Sequence, residues 1–346
     1  MLFRSDRFYA TRTKRGAYIS RDISLDCSDD GRYCHVAWRG QNCQIYYRCW
    51  DRLTNGGDWM TGEEVRVSGA DNEYGKKPQV VCTQDGSTAY IVWRMRESAS
   101  PNKYYIAFRY TANKGLSWTP AQPGPPEIIS GTPGFDPNVY CNRSNGNLCV
   151  VWEEFDHKDA PDRWTVRARA RKAGAWQGIQ EVGAPVIKNG KHFVLPQVCG
   201  NGESVYVAWV DVGHPPHQYV YFNFSNDGGA FFDSSTRIRI STPGGLDAYL
   251  CNWPSIAVNL NDEVYVVWGE KRGNNIPNVF GSNPFACMND ERIPHHTPVR
   301  LHGWEPYLCS SGNNVYAIWL DDRHGAQDVF SSRSEERRVG KECRSR

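Results

Sequence analysis

Six acidic residues stand one to three places past a tryptophan: Glu153, Glu154, Asp211, Glu270, Asp321 and Asp322. The same loops carry Arg39, Arg94, Arg96, Arg163, Arg272 and Arg323. A guanidinium is a planar fork that matches a carboxylate in two parallel hydrogen bonds, so arginines converging on a cleft would hold an acidic ligand. The pattern W-x-D/E-x-R is also what a loop-stabilising ion pair looks like when it is copied along with a repeated scaffold. Two histidine pairs, His214 with His217 and His295 with His296, could in principle ligate a metal. They lack matching acidic or cysteine partners, so they read as loop histidines and no metal or cofactor is expected. Sequons at Asn142 and Asn223 matter only in a secreted chain, and Asn223 falls in a predicted strand.

Every one of these loops follows the same strand. The runs "GRYCHVAW", "STAYIVW", "GNLCVVW", "ESVYVAW", "DEVYVVW" and "NNVYAIW" end at Trp38, Trp93, Trp152, Trp209, Trp268 and Trp319, at spacings of 55, 59, 57, 59 and 51 residues. Ten or eleven residues before each tryptophan lies a second apolar run, usually opened by proline, and a Gly/Asn/Asp turn joins the two. Gly, Asn and Asp accept the positive φ of tight hairpin turns, so each pair reads as a β-hairpin. A third alternating run follows the loop, as in "QIYYRCW" and "YYIAFRY". A fourth is less regular, as in "EEVRVSG", "PEIISG", "TRIRIST" and "TPVRLHG". Four antiparallel strands repeated six times predict an all-β fold, a six-bladed β-propeller of four-stranded blades, with each tryptophan packed between neighbouring sheets. A β-sandwich competes, but sandwiches rarely repeat one motif at a fixed register. One propeller domain is expected over residues 1–334, with repeats near 20–74, 75–136, 137–195, 196–252, 253–304 and 305–334.

Successive turns of an antiparallel blade point to opposite ends. The tight hairpin turns therefore share one end, and the long loops after the tryptophans share the other, where variable loops on a rigid frame carry binding. Charge adds little. The net +2 is supplied by "EERRVGKECRSR", residues 335–346, which abandons every upstream pattern and reads as a foreign tail. Without it no basic stripe suggests nucleic acid, and no apolar run has the roughly 20 residues of a membrane helix. The last repeat stops at "DVFSSRS", and the start reads as mid-blade. The chain is therefore read as a fragment, with secretion or cell-surface display left open. An N-terminal strand from "DRFYATRT" or "RGAYISRD" completing the last blade is the alternative.

Five of the twelve cysteines, Cys27, Cys82, Cys141, Cys199 and Cys309, are expected to share one repeat-equivalent position as small buried hydrophobes, where the fifth repeat has Val258. Cys27 and Cys34 would face each other across their hairpin if its turn is Asp30-Gly31, as packed thiols in preference to a cross-strand disulfide.

After the third strand, "TANKGLSW" (Thr111, Asn113, Gly115, Trp118) and "SNDGGAFF" (Ser225, Asp227, Gly229, Phe232) fit the Asp-box pattern Ser-x-Asp-x-Gly-x-Thr-Trp with substitutions, and "TNGGDW" is a more degenerate version. Such a turn is built by an Asp or Asn side chain capping backbone amides, a glycine supplying the special dihedral and an aromatic anchor. With the repeated "VYVxW" strands, residues 20 to 334 resemble the bacterial-neuraminidase-repeat propellers of the sialidase superfamily. In that family Asp boxes are structural and lie away from the substrate face. The resemblance implies glycan recognition and an exo-α-sialidase-type hydrolase. It also implies three arginines on the substrate carboxylate, a Tyr–Glu nucleophile pair and an Asp acid/base. By loop position four arginines, Arg39, Arg94, Arg272 and Arg323, are candidates for the three clamp places, with Asp71 for the acid, Tyr307 with Glu305 for the nucleophile, and Tyr249 as rival nucleophile. The family's N-terminal Arg-Ile-Pro element is missing from the first strands. The only copy, from Arg292 to Pro294, is placed in a loop of the fifth repeat. That departure keeps a second reading open, a non-catalytic propeller acting as a lectin-like or protein-binding scaffold.

Overall fold

A computed structural model describes residues 21–40, 43–54, 57–69, 74–96, 103–156, 163–187, 195–214, 217–241, 251–272, 276–282, 291–292, 303–321 and 328–333. They form six antiparallel sheets, the blades of an all-β, six-bladed propeller fold. Two compact units divide the chain: Met1–Pro137 with Arg143–Gly146, and Asn138–Asn142 with Asn147–Arg346.

The first unit holds blades 1 and 2. Blade 1 is Arg21–Cys27, Tyr33–Arg39 and Ile45–Asp51, with Asp58–Trp59 and Val65–Arg66 both pairing with the third strand. Blade 2 is Tyr74–Cys82, Ala89–Arg96, Tyr104–Thr111 and Glu127–Ile128. Trp93 is fully buried and packs against Ile45 and Tyr47 of blade 1. Truncating such a side chain costs about 3–5 kcal/mol.

The second unit holds most of blade 3 (Gly134–Cys141, Leu148–Asp156, Arg163–Lys172, Ala175–Ile187) and all of blade 4 (Gln197–Asn201, Ser204–His214, His217–Ser225, Ile238–Arg239). Blade 5 follows (Cys251–Val258, Val264–Arg272, Ile276–Ser282, Glu291–Arg292), then three described strands of blade 6 (Gly303–Ser311, Asn314–Asp321, Asp328–Arg333). Trp209 is buried against blade 3, Trp268 against blade 4 and Trp319 against blade 5. Blade 3 is built differently at its outer edge. A two-residue turn with both residues at positive φ, Ala173 (47°) and Gly174 (83°), runs straight into a thirteen-residue fourth strand. Two such dihedrals make the turn whose twist matches the flanking strands.

Two expectations are corrected. The fourth strand of blade 5 is Glu291–Arg292, paired with Phe280 and Gly281, so Arg292 of the Arg-Ile-Pro stands in a strand and not in a loop. An outer strand pairs on one side only, so two residues suffice and no apolar period marks them. The cysteines also divide. The residue four places before the tryptophan pairs with Cys27, Cys82, Gly200, Val258 and Ser310 in blades 1, 2, 4, 5 and 6. In blade 3 the Asn142 amide donates to the Asn147 carbonyl, which sets Cys141 opposite Leu148. Cys199 and Cys309 pair one residue further along, with Tyr206 and Tyr316. A one-residue offset turns a side chain to the other face of the strand. Cys82 and Cys141 are buried accordingly, whereas Cys309 is exposed. Turn length is the cause: residues 201–204 and 311–314 span hairpins that take 28–33, 83–88 and 142–147 in the first three blades.

Candidate functional site

The loop end of each blade is organised by one local device. Five residues before the hairpin-pairing position just described, Asp22, Lys77, Asp136 and Leu195 take φ of 52°, 53°, 43° and 48°, and in blades 1 and 2 the first strand bulges there. In blades 5 and 6 the register slips at the same place, between Asn252 and Ser255 and between Trp304 and Tyr307. The following residue is proline in blades 2 to 6, which lacks the donor that a ladder position needs and is tolerated at bulges. The residue after the tryptophan then reaches this position in the next blade. Arg94 lies 3.9 Å from Asp136, and Glu153 accepts the Leu195 amide at 3.0 Å. In blade 1, Arg39 turns back to Asp22 of its own first strand at 3.3 Å.

In the first unit this arrangement gathers cations and aromatic rings. The Arg94 guanidinium lies 5.4 Å from the ring centres of both Tyr104 and Phe135, and Arg96 lies 4.0 Å over Tyr74. Tyr104 and Phe135 are themselves 5.0 Å apart. Lys76 pairs with Arg94 across the first two strands, which adds a further cation on the same rim. Guanidinium over an aromatic face is held by the ring quadrupole. In the second unit the loop end of blade 3 carries Phe155 stacked on Trp164 at 4.5 Å.

Four of the acidic residues past the tryptophans, Glu153, Glu154, Asp211 and Glu270, are described with their side chains and are enclosed in the scaffold. Glu153 and Glu270 are 2% and 1% exposed. Glu270 accepts the Trp268 indole N–H at 2.7 Å. Glu154 pairs with Arg167 at 3.0 Å, and Arg167 also reaches Glu181. Asp211 is buried as well. Carboxylates so enclosed hold loops together and offer no face to a ligand.

Of the residues proposed for chemistry, Asp71, Tyr249 and Arg323 lie outside the described residues, as do His295 and His296. Arg272 is described by its backbone, opposite Ile276. Glu305 is placed at the bulge of blade 6, the position of Asp22 and Asp136. Tyr307 is described and is 61% exposed. Its repeat equivalents are Ser24, Gln79, Asn138, Gln197 and Ser255. The Ser24 and Ser255 hydroxyls accept the amides of Val80 and Leu308 in the next blade, so a tyrosine puts a large phenol where other blades carry small or amide groups. His214 and His217 pair across their turn, and the described residues contain no group suited to a metal ion.

The two box turns fold alike at the opposite end of the blades. Thr111 Oγ1 accepts the Gly115 amide at 2.8 Å and Asn113 Oδ1 accepts the Ser117 amide at 2.8 Å. Ser225 Oγ accepts the Gly229 amide at 3.1 Å and Asp227 Oδ1 the Phe231 amide at 3.0 Å. Burial works to raise the Asp227 pKa, yet the Ser225 hydroxyl and the Phe231 amide outweigh it and hold the carboxyl below its ordinary value. Trp118 and Phe232 are buried anchors. The turns touch the tight hairpins, Lys114 through Ser87 and Gly228 through Glu203. In "TNGGDW" the work falls to Asp51, which accepts Thr54 Oγ1 and the Leu53 amide. Arg32 beside it lowers its pKa to about 2.

No protein-family model and no curated protein matches the sequence. Solved structures share the fold. A protein of unknown function from Dyadobacter fermentans is 15% identical, with a TM-score of 0.52 over 91% of this chain and 94% of its own. An α-L-arabinofuranosidase from Fusarium graminearum is 13% identical, with a TM-score of 0.53 over 91% and 92%. A Hadza microbial sialidase is 9% identical, with a TM-score of 0.52 over 92% of this chain and 66% of its own. Propeller glycoside hydrolases are thus among the folds this chain resembles.

One repeated role escaped the sequence. Arg48, Arg109, Arg169 and Asn223 are equivalent positions of the third strand, each opposite the residue two before the tryptophan. All four donate to main-chain carbonyls near the outer strands. Arg48 reaches Thr61 and Gly62, Arg109 reaches Val67 and Gly124, Arg169 reaches Gln177, and Asn223 reaches Val182 and Asp233. The available signal was a long polar residue recurring in otherwise apolar third strands. Asn223 is only 1% exposed, and Asn142, 6% exposed, donates to Glu203. Neither sequon presents a free amide on the folded surface.

Proposed function

We propose that the loop end of the blades binds glycan and that the chain is a propeller glycoside hydrolase acting on terminal sialic acid. The observation that carries this reading is the cation–aromatic rim of Arg94, Arg96, Tyr74, Tyr104 and Phe135. Aromatic faces suit the apolar faces of sugar rings, and guanidinium N–H edges suit a sugar carboxylate. An arabinofuranosidase and a sialidase among its structural neighbours support a carbohydrate substrate. Sialidases use a tyrosine nucleophile, unlike most glycosidases. In the proposed roles Tyr307 attacks the anomeric carbon with Glu305 taking its proton, Asp71 protonates the leaving oxygen, and Arg39, Arg94, Arg272 and Arg323 hold the carboxylate. Tyr249 is the rival nucleophile.

A second reading, a non-catalytic lectin-like or protein-binding propeller, is favoured by the ion pairs Arg39–Asp22 and Arg94–Asp136, which already engage two of the clamp arginines. Hydrolysis of fluorogenic α-sialoside and α-L-arabinofuranoside substrates by a chain ending at Ser334 separates the readings. Sialoside turnover abolished by Tyr307→Phe or Tyr249→Phe, and reduced by Asp71→Ala, supports the enzyme and chooses its nucleophile. A folded chain that turns over neither substrate yet binds sialosides, with binding weakened by Arg96→Ala, supports the lectin-like scaffold.

A further inference from the structure

The first hairpin brings two thiols face to face, independently of any glycan. Cys27 and Cys34 are direct cross-strand partners. The Ser28 amide donates to the Tyr33 carbonyl at 2.9 Å, so the 28/33 pair is hydrogen-bonded and the 27/34 pair is of the closer, non-hydrogen-bonded kind. Such pairs hold Cα atoms about 4.5 Å apart with their side chains on one face, inside the roughly 4.4–6.8 Å range that a disulfide bridges without moving backbone. Both cysteines are free and half-buried. Arg143 donates to the Cys27 carbonyl at 2.7 Å and pairs with Asp26 and Asp29, setting a guanidinium beside the strand end.

We propose that Cys27 and Cys34 form a reversible dithiol–disulfide couple, closed by exchange with a small-molecule disulfide of the glutathione class. The Cys27 thiolate attacks one sulfur of the oxidant, breaking its S–S bond, forming a mixed disulfide and releasing one thiolate. Cys34 loses its proton to solvent and attacks the Cys27 sulfur. The protein disulfide forms as the second small thiolate leaves, and both released thiolates are protonated. Two protein thiols are oxidised and one external disulfide is reduced to two thiols; excess thiol reverses the sequence. The division of labour follows the local chemistry. The Cys34 thiol donates to Cys27 and lowers its pKa, with Arg143 assisting against burial and Asp26, whereas the same contact raises Cys34. Lower-pKa thiols attack first. By contrast, burial pushes Cys49 and Cys149 up to about 12.

Tryptic mapping tests this on the full chain, because Arg32 lies in the turn between the two cysteines. Cleavage after Arg21, Arg32 and Arg39 puts Cys27 in peptide 22–32 and Cys34 in peptide 33–39. The chain is equilibrated in mixtures of reduced and oxidised glutathione, blocked with N-ethylmaleimide and digested without reduction. The expected product is the linked pair 22–32/33–39, appearing as the ratio becomes oxidising and lost when it becomes reducing. Cys34→Ser should accumulate a glutathione adduct on peptide 22–32, and Cys27→Ser should leave peptide 33–39 blocked by maleimide. Tryptophan fluorescence of both variants confirms that the hairpin still packs. Peptides 22–32 and 33–39 remaining maleimide-blocked at every ratio, while exposed Cys309 acquires glutathione, would overturn the proposal. So would linkage of Cys27 to any cysteine other than Cys34.

Discussion

His35 sets an acid limit on the first unit. Its imidazole is 0% exposed, on the second strand of blade 1, with Nδ1 2.7 Å from the Tyr47 hydroxyl. Burial lowers its pKa from 6.5 to about 4; the Gly86 backbone opposes this, and Arg143 and Lys114 nearby add to it. In the unfolded chain the ring titrates near 6.5. The sign follows from proton binding. Between pH 6.5 and 4 the unfolded state holds the proton that the folded state refuses, so stability present above pH 6.5 is lost as pH falls towards 4. Linkage puts the loss at about 2 kcal/mol between pH 8 and pH 5, approaching about 3.4 kcal/mol below pH 4. Urea unfolding of the parent and of His35→Gln at pH 8, 6.5 and 5 isolates the effect, since all other titrations are common to both. The parent should lose about 2 kcal/mol more than the variant on going from pH 8 to 5. Parallel pH dependences would refute the reasoning and place the imidazole in a solvated environment.

The remaining predictions follow from packing and from hydrogen bonds. Gly229 has φ of 84°, and a Cβ there would lie 2.5 Å from the Cys149 sulfur, so Gly229→Ala should cost about 2–4 kcal/mol of chemical stability, combining left-handed strain with overpacking. Gly202→Ala, at φ of 59° with nothing within 4 Å, should cost only the strain, about 1–2 kcal/mol. Asn223→Ala strands the carbonyls of Val182 and Asp233 and should lower stability by about 2–4 kcal/mol in the same denaturation assay. If the loop end binds acidic sugars, Arg96→Ala should weaken binding about tenfold or more by calorimetry, the loss of one charge-assisted contact of 1.5–3 kcal/mol. Its stability should stay within about 1 kcal/mol of the parent.

What was legible in the sequence was local. The hairpins, the third strands and the six-fold repeat all come from alternation and turn chemistry within about fifteen residues, and the structure has them where the period places them. Glu153 and Glu270 show where legibility stops. Their spacing past a tryptophan is the same as an exposed acid would have, and only packing decides that one holds a backbone amide and the other an indole. Glu291–Arg292 shows a second limit, because an outer strand of two residues has no period to detect.

By itself the sequence determined that this chain makes six antiparallel blades and which end of each carries the long loops, because strand alternation and turn preference are properties of neighbouring residues. Tertiary structure alone decided the rest. It set Cys199 and Cys309 on the other face from Cys82, and it closed the buried amides of both sequons. It also brought Arg94 to Asp136, and Cys27 to the guanidinium of Arg143 more than a hundred residues away. Such pairings depend on register and on the approach of one sheet to the next, and turns two residues shorter, 201–204 and 311–314 against 28–33 and 83–88, are enough to change them.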